Sequence, residues 1–384
     1  MAGVARGTRP SANLDLIRGI AAIAVLLGHW RYLFFADFRE VTAPGLGTKF
    51  FYFLTGFGHE SVMVFFVLSG YLVGTSVRSA VGQGRWSWSS YASARLGRLY
   101  TVLIPALLIG GTLDFAGAST LGSAGVYAGA DPFRAMLPAA PQTQLGTDVL
   151  MANLAFLQTV QSPTFGSNSP LWSLANEFWY YVLFPILLLS ARPRVELPAR
   201  LLGLACAFLI LAFVGFEIGS LFLIWLMGAA VGDPLANKAL GNRASLWAAG
   251  GALALSLIAS RFGLLFPRMA GDLLVGSCAA LWVGSVAWQA DRPCRSWTRS
   301  LAAYLSNRSY TAYLFHVPAL VLLNGFLLGD QPRWSFTGYS LGAGIGVLAA
   351  VWLYIELMWR AFESRTTEVR AWIASVRLSR RVPA

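Results

Sequence analysis

Arg18 and His29 lie within an otherwise apolar run, Leu14–Phe35, and their spacing is that of one helix face. At ~100° and ~1.5 Å per residue, positions 18 and 29 stand about 20° apart around a helix and roughly 16 Å apart along it. A guanidinium at the mouth of a helix bundle binds phosphate or draws in an anionic ligand. An imidazole deeper in the same bundle can act as general base on a hydroxyl. A plainer account fits the same spacing: Arg18 snorkels to the headgroups and His29 hydrogen-bonds a neighbouring helix.

Other ionisable residues sit where a membrane protein rarely keeps them idle. Asp15 is one turn from Arg18. Glu177, in Leu171-Trp-Ser-Leu-Ala-Asn-Glu177, can orient an imidazolium or share its proton, or serve as an interfacial acid beside an aromatic belt. Arg95 and Arg98 share a helix face, where they can clamp a polyphosphate or anchor the helix to a basic side. His316 stands two residues before Pro318, whose missing N–H frees a carbonyl that a polar neighbour or water must satisfy. His59 and Glu60 begin a further apolar run and fit ordinary interfacial polarity as well.

The elements that must position these groups are membrane helices. Of 384 residues, 56% are hydrophobic and only 12% charged, with a mean hydropathy of +0.59. A soluble domain carries about twice that charged fraction. The spacing predicts an all-α bundle of about ten membrane helices, near 14–34, 60–77, 99–117, 170–190, 199–215, 217–233, 244–260, 271–289, 309–329 and 338–360. The fifth and sixth are parted only around Gly215–Glu217, and the Gly-rich tenth (Gly338, Gly342, Gly344, Gly346) is expected to pack closely on a neighbour. Arg6 and Arg9 precede the first run like a signal peptide, but Arg18 and His29 interrupt it and no small-residue cleavage site follows, so it reads as a retained helix.

The net charge of +12 is nearly all arginine, with Lys49 and Lys238 as the lysines. No soluble domain carries it as a basic stripe, so nucleic acid is not the expected partner; the lipid bilayer is. Arginines gather after even-numbered spans: Arg78, Arg85, Arg95 and Arg98; Arg192, Arg194 and Arg200; Lys238 and Arg243; Arg292, Arg295, Arg299 and Arg308; then Arg360, Arg365, Arg370, Arg377, Arg380 and Arg381. By the positive-inside rule both termini are cytoplasmic. The long connection at about 118–169 then lies outside, nearly uncharged, with an apolar stretch Val149–Leu157 suited to a lid or re-entrant segment. Cys206, Cys278 and Cys294 have no spacing pattern, and neither a disulfide framework nor a metal site is expected.

Five of these segments together resemble the membrane-bound acyltransferase family 3. Arg18 through His29, within Asp15-Leu-Ile-Arg18-Gly and Gly28-His29, resembles its arginine–ten residues–histidine motif. Phe65-Phe-Val-Leu-Ser69-Gly-Tyr71 is similar to its second-span signature, and Arg95-Leu-Gly-Arg98-Leu-Tyr to its Arg-x-x-Arg. Leu171-Trp172-Ser173-Leu-Ala-Asn-Glu177-Phe and Ser309-Tyr310 through His316-Val-Pro318 resemble two further segments, all in family order. Two departures stand out: Asn176-Glu177 replaces a Glu-Glu pair, and Phe362-Glu363-Ser-Arg365 has arginine in place of proline.

The resemblance implies an integral membrane acyltransferase domain over 1–365, a short basic cytoplasmic tail at 366–384, and a multi-pass place in a bacterial plasma membrane. It implies cytoplasmic acyl-CoA, often acetyl-CoA, as donor, and a hydroxyl of a carbohydrate or small natural product as acceptor. On that reading Arg18, Arg95 and Arg98 attract the CoA phosphates, His29 acts as general base or transient acyl carrier, and Glu177 orients it. Asp15, His59, Ser69, Trp172, Ser173, Tyr310 and His316 are supporting positions. Residues after the last span are too few for the hydrolase-like extension that some relatives carry. A proton-coupled secondary transporter of a small anionic substrate would also place Arg, His and Glu in the membrane, but no inverted repeat is evident. A scaffold subunit would not require the Arg18–His29 face.

Overall fold

The computed structural model describes residues 7–122, 125–129, 131–193, 195–236, 240–265, 267–290 and 292–368. Arg6, Arg194, Lys238 and residues 369–384 of the basic tail lie outside the described residues. Within them the chain is helical, and pairing between extended segments is limited to isolated bridges. This is the outcome expected in lipid, where a helix satisfies its backbone groups within itself.

In chain order the helices are α1 (Arg9–Phe34), α2 (Leu46–Leu54), α3 (Gly58–Gly82), α4 (Trp88–Leu121), α5 (Thr147–Leu154), α6 (Leu171–Ser190), α7 (Leu197–Val231), α8 (Arg243–Arg261), α9 (Arg268–Ala287), α10 (Ser296–Leu328) and α11 (Gly338–Ala361). Among the described residues eight segments are long and apolar enough to cross a membrane. The ten expected spans map onto these eight plus two more: α6 is more polar, and α7 is interrupted at Gly215. That glycine has φ +83°, which ends one helical segment and starts the next at the expected break.

Helices outrun their apolar windows. α4 begins at Trp88 and α10 at Ser296, so Arg95, Arg98, Arg299 and Arg308 sit on helical turns before the hydrophobic stretch. Hydropathy marks where lipid contact starts; the hydrogen-bond ladder runs on until a cap stops it. Ser87 caps α4 by accepting from the Ser90 N–H, Asn242 caps α8 from Ser245, and Thr337 caps α11 from Ser340.

The chain divides into two compact units, and α1, α6 and α10 each contribute to both. Unit 1 comprises residues 1–25, 56–86 and 173–306. Here α3 lies directly on α7. A Cβ at Gly70 would strike the Trp225 carbonyl, one at Gly228 the Val67 carbonyl, and one at Gly74 the Cα of Ala229 at 3.0 Å. Small residues let two backbones touch where lipid supplies no hydrophobic drive. The end of α7 is tied down by Arg78 Nη2, which donates to the Ala229 carbonyl (2.5 Å), and by Trp288 Nε1, which donates to Val231 (2.8 Å). The Gly-rich α11 behaves otherwise than expected. Only Gly344 packs, against Trp30 and Phe35, while a Cβ at Gly338, Gly342 or Gly346 would meet nothing within 4 Å. Composition alone does not say which face of a helix meets protein.

Unit 2 comprises residues 26–55, 87–172 and 307–384. Its core joins Trp30 and Phe34 of α1, and Phe35 just after it, to Phe51, Tyr127, Leu320 and Val351. The long connection expected at 118–169 is shorter and partly helical: α4 runs to Leu121, short 3-10 turns follow, and the apolar stretch becomes α5. It is folded onto its unit. Asn153 takes the Phe165 N–H on Oδ1 (3.1 Å) and donates through Nδ2 to the Pro163 carbonyl (2.9 Å). After α11, a 3-10 turn at Glu363–Arg365 replaces the expected proline ending, and Glu363 Oε2 accepts from the Thr311 N–H (3.0 Å) and hydroxyl (2.5 Å).

Gly70→Ala should destabilise the detergent-solubilised protein by roughly 1–3 kcal/mol, because no rotamer moves a Cβ off the Trp225 carbonyl. Gly82→Ala, in open space, should leave the melting temperature unchanged. Fluorescence-detected size-exclusion thermal melts read both.

Candidate active site

Pro318, inside α10, lacks the N–H that would bond the Leu314 carbonyl. Asn168 fills the gap: its Nδ2 donates to the Leu314 carbonyl at 2.8 Å. The neighbouring loop is held from below by Asp114, whose Oδ2 accepts the Ser167 N–H at 2.7 Å. Gly166, at φ +59°, lies so close to Asp114 that any Cβ there would strike the carboxylate. A fully buried carboxylate and a proline-containing helix thus each hydrogen-bond one short loop in unit 2.

His316 lies two residues before that proline and is fully buried. Its Nδ1 is 2.7 Å from the Ala312 carbonyl, and its Nε2 is 2.7 Å from Nδ1 of His29 on α1. The ring planes are 18° apart and the centroids 5.0 Å apart. That separation matches the N···N contact plus two ring radii of about 1.1 Å each, so the imidazoles meet edge to edge, the orientation of a nearly linear hydrogen bond. His29 is partly exposed. Its ring is braced on one side by a fully buried imidazole. Tyr310, on the same α10, donates its hydroxyl to the Leu99 carbonyl of α4 (3.3 Å). Arg95 and Arg98 are one turn apart on α4, Arg95 half-buried beside the Tyr91 ring and Arg98 exposed. Trp172 is half-buried at the start of α6.

Unit 1 holds the other residues. Arg18 Nη1 donates to Ser306 Oγ (3.2 Å), Ser306 donates to Asp15 Oδ1 (2.9 Å), and Arg18 lies 3.7 Å from the same carboxylate oxygen. The approach of these turns depends on Gly19, where a Cβ would collide with Leu305. Arg18 is thereby held in place while its side chain stays 19% exposed.

Glu177 stands on the first turns of α6. Its Oε1 accepts from Ser69 Oγ (2.7 Å) and from the Tyr181 hydroxyl, and Trp225 Nε1 donates to Ser69 (3.2 Å). Both hydroxyl donors meet Oε1. Ser173 is buried one turn before it. His59 forms a separate group: its Nε2 is 2.7 Å from Asp272 Oδ1, and Arg268 Nη2 donates to its Nδ1 at 3.0 Å.

The structure therefore pairs His29 with His316 and Arg18 with Asp15, and it joins Glu177 to Ser69. The partner of His29 is an imidazole. Asn168, Tyr181, Trp225, Asp272 and Ser306 escaped the sequence reading. Pro318 announced an orphaned carbonyl, but which residue would answer it is a long-range fact. Among the described residues no group of three or more His, Cys, Asp or Glu is placed to hold a metal ion.

Comparison with known proteins shows the family of the chain. A family model described as "Acyltransferase domain" matches residues 11–356. The chain is 26% identical over 382 residues to "Acyltransferase MdmB" of Streptomyces mycarofaciens, covering 90% of this chain and 87% of that protein. No solved structure matches significantly.

Asn168→Asp retains shape but loses the donor to Leu314, and should cost roughly 1–3 kcal/mol, as Asn168→Leu does. Both should speed hydrogen exchange of amides in 312–318. An Asn168→Asp protein as stable as wild type would remove the hydrogen bond from this account.

Proposed function

Because the chain belongs to acyltransferase family 3, we propose that it is a membrane O-acyltransferase using acyl-CoA, with acetyl-CoA the first donor to test. The acceptor is a hydroxyl of a carbohydrate or of a glycosylated or other secondary metabolite. The observation that carries the reading is His29 braced through Nδ1 by a buried histidine. That is how a general base is held for a hydroxyl.

In this reading Arg18 receives a CoA phosphate. It is held by Asp15 and Ser306 yet keeps exposed guanidinium surface, and Arg95 and Arg98 add positive charge on α4. The offset of roughly 16 Å along α1 separates donor phosphates from reacting carbonyl. His29 takes the proton of the acceptor hydroxyl as its oxygen attacks the thioester carbonyl. The carbon–sulfur bond then breaks and the CoA thiolate regains the proton from His29. The sum is acyl-thioester plus alcohol giving ester plus CoA thiol, with His29 neutral again. Glu177, held by Ser69 and Tyr181, is the second acid–base group of this reading.

Arginines in the connections after α3, α6 and α9, among them Arg85, Arg192 and Arg295, with Arg243 at the start of α8, support cytoplasmic termini, and the membrane of this reading is a bacterial plasma membrane.

The test is mass spectrometry of surface glycans and secreted metabolites from a deletion strain. Wild type should restore one lost acyl mass and His29→Ala should not. Arg18→Gln should raise KM for acetyl-CoA about ten- to a hundredfold, the worth of a charge-assisted phosphate contact. Unchanged transfer by His29→Ala membranes, or transfer without acyl-CoA, would overturn the reading.

A further inference from the structure

The hydrogen positions in the histidine pair follow from the chemistry of its partners. A carbonyl oxygen only accepts, so the 2.7 Å contact between His316 Nδ1 and the Ala312 carbonyl requires the hydrogen on His316 Nδ1. A neutral imidazole with Nδ1–H has a bare lone pair at Nε2. Nε2 of His316 faces Nδ1 of His29 at 2.7 Å, so His29 must donate there, through Nδ1–H. Nε2 of His29 is then the nitrogen without a hydrogen, and no other hydrogen-bond partner of His29 occurs among the described residues.

We propose that His316 is a positioning residue that selects the Nδ1–H tautomer of His29 and so makes Nε2 the reacting nitrogen, resting on the reading of His29 as base. A free histidine side chain in water favours the other tautomer, with hydrogen on Nε2, in which this nitrogen could accept nothing. The ring nitrogen that reacts is decided by the bond the other one makes. When His29 Nε2 takes the acceptor proton, the imidazolium keeps its Nδ1–H on His316 Nε2, which stabilises the charge across a short, edge-to-edge contact. The proton returns from Nε2 to the departing CoA sulfur, and the Nδ1–H···Nε2 and Nδ1–H···O=C bonds need not change hands.

The chain of orientation ends in backbone. His316 is fixed by its fit among fully buried neighbours and by the Ala312 carbonyl on its own helix. The next turn is held by Asn168 at the carbonyl that Pro318 leaves open. A side chain that only filled space would need neither the acceptor nitrogen toward His29 nor the bond to Ala312.

The chain contains three histidines, which makes the tautomers observable one by one. Protein labelled with nitrogen-15 at histidine, in detergent micelles, and assigned with single His→Gln variants gives three side-chain patterns. His59 is the internal contrast. Arg268 can only donate, so His59 Nδ1 accepts and its hydrogen sits on Nε2, toward Asp272. Wild-type spectra should show His29 protonated at Nδ1 and His59 at Nε2. In His316→Leu, His29 should move to the Nε2–H form. Label from acetyl-CoA followed into CoA-free product in membranes should then show turnover down about a hundredfold at saturating acetyl-CoA, with KM unchanged, the low end of what a base contributes. His316→Gln, whose amide oxygen can still accept from His29, should recover most of that loss.

A wild-type His29 bearing its hydrogen on Nε2 overturns the proposal without any variant. So does a folded His316→Leu protein with normal turnover while His29→Ala is inactive. If His29→Ala itself transfers normally, the base reading fails instead, whatever the tautomer.

Discussion

In hydrocarbon, each polar group must find its partner inside the protein, and this chain is arranged around the places where that is hardest. Proline in α10 removes one N–H and leaves the Leu314 carbonyl without its helical donor. A bare carbonyl at that depth costs several kcal/mol. Asn168 answers it from a loop, and the loop must therefore be held, which Asp114 does through Ser167 and Asn153 through Phe165. One missing hydrogen thus explains why a stretch of the long connection is folded down rather than left to water. It also fixes the turn of α10 beside His316.

Much of this was legible in the sequence, for a physical reason. Apolar runs and the basic connections between them report each residue's own solvent, so the spans, the break at Gly215 and the shared face of Arg18 and His29 could be read locally. Pairings could not. Glycine content singled out α11, yet the close backbone contact is made by Gly70, Gly74 and Gly228 on α3 and α7. Glycine is needed where a carbonyl approaches, and that depends on the partner helix. Helix ends also moved, because caps such as Ser87 and Thr337 set them rather than hydropathy.

The two paired histidines of the candidate site and the third in unit 1 show how partners decide chemistry. His59 has a carboxylate on Nε2 and a guanidinium on Nδ1, so both ring nitrogens are engaged and the group reads as a tie between α3 and α9. His29 has one engaged nitrogen and one free. Residue type made all three candidates; only the donor or acceptor nature of the facing atom separates a strut from a base.

Why a histidine behind His29, where serine hydrolases place an aspartate? In water-accessible enzymes a carboxylate orients the imidazole and offsets its charge. Within a membrane bundle a permanent anion has to be held ionised through every stage of the cycle, by donors of its own. Donors of that kind meet Glu177, where hydroxyls from Ser69 and Tyr181 reach one oxygen. A neutral imidazole accepts the same Nδ1–H with no standing charge, and its own hydrogen passes to a backbone carbonyl that cannot titrate. The orientation is retained while the charge exists only during the reaction. On the proposed reading the donor is a thioester, already a reactive acyl donor, and asks of its base little more than a correctly aimed lone pair.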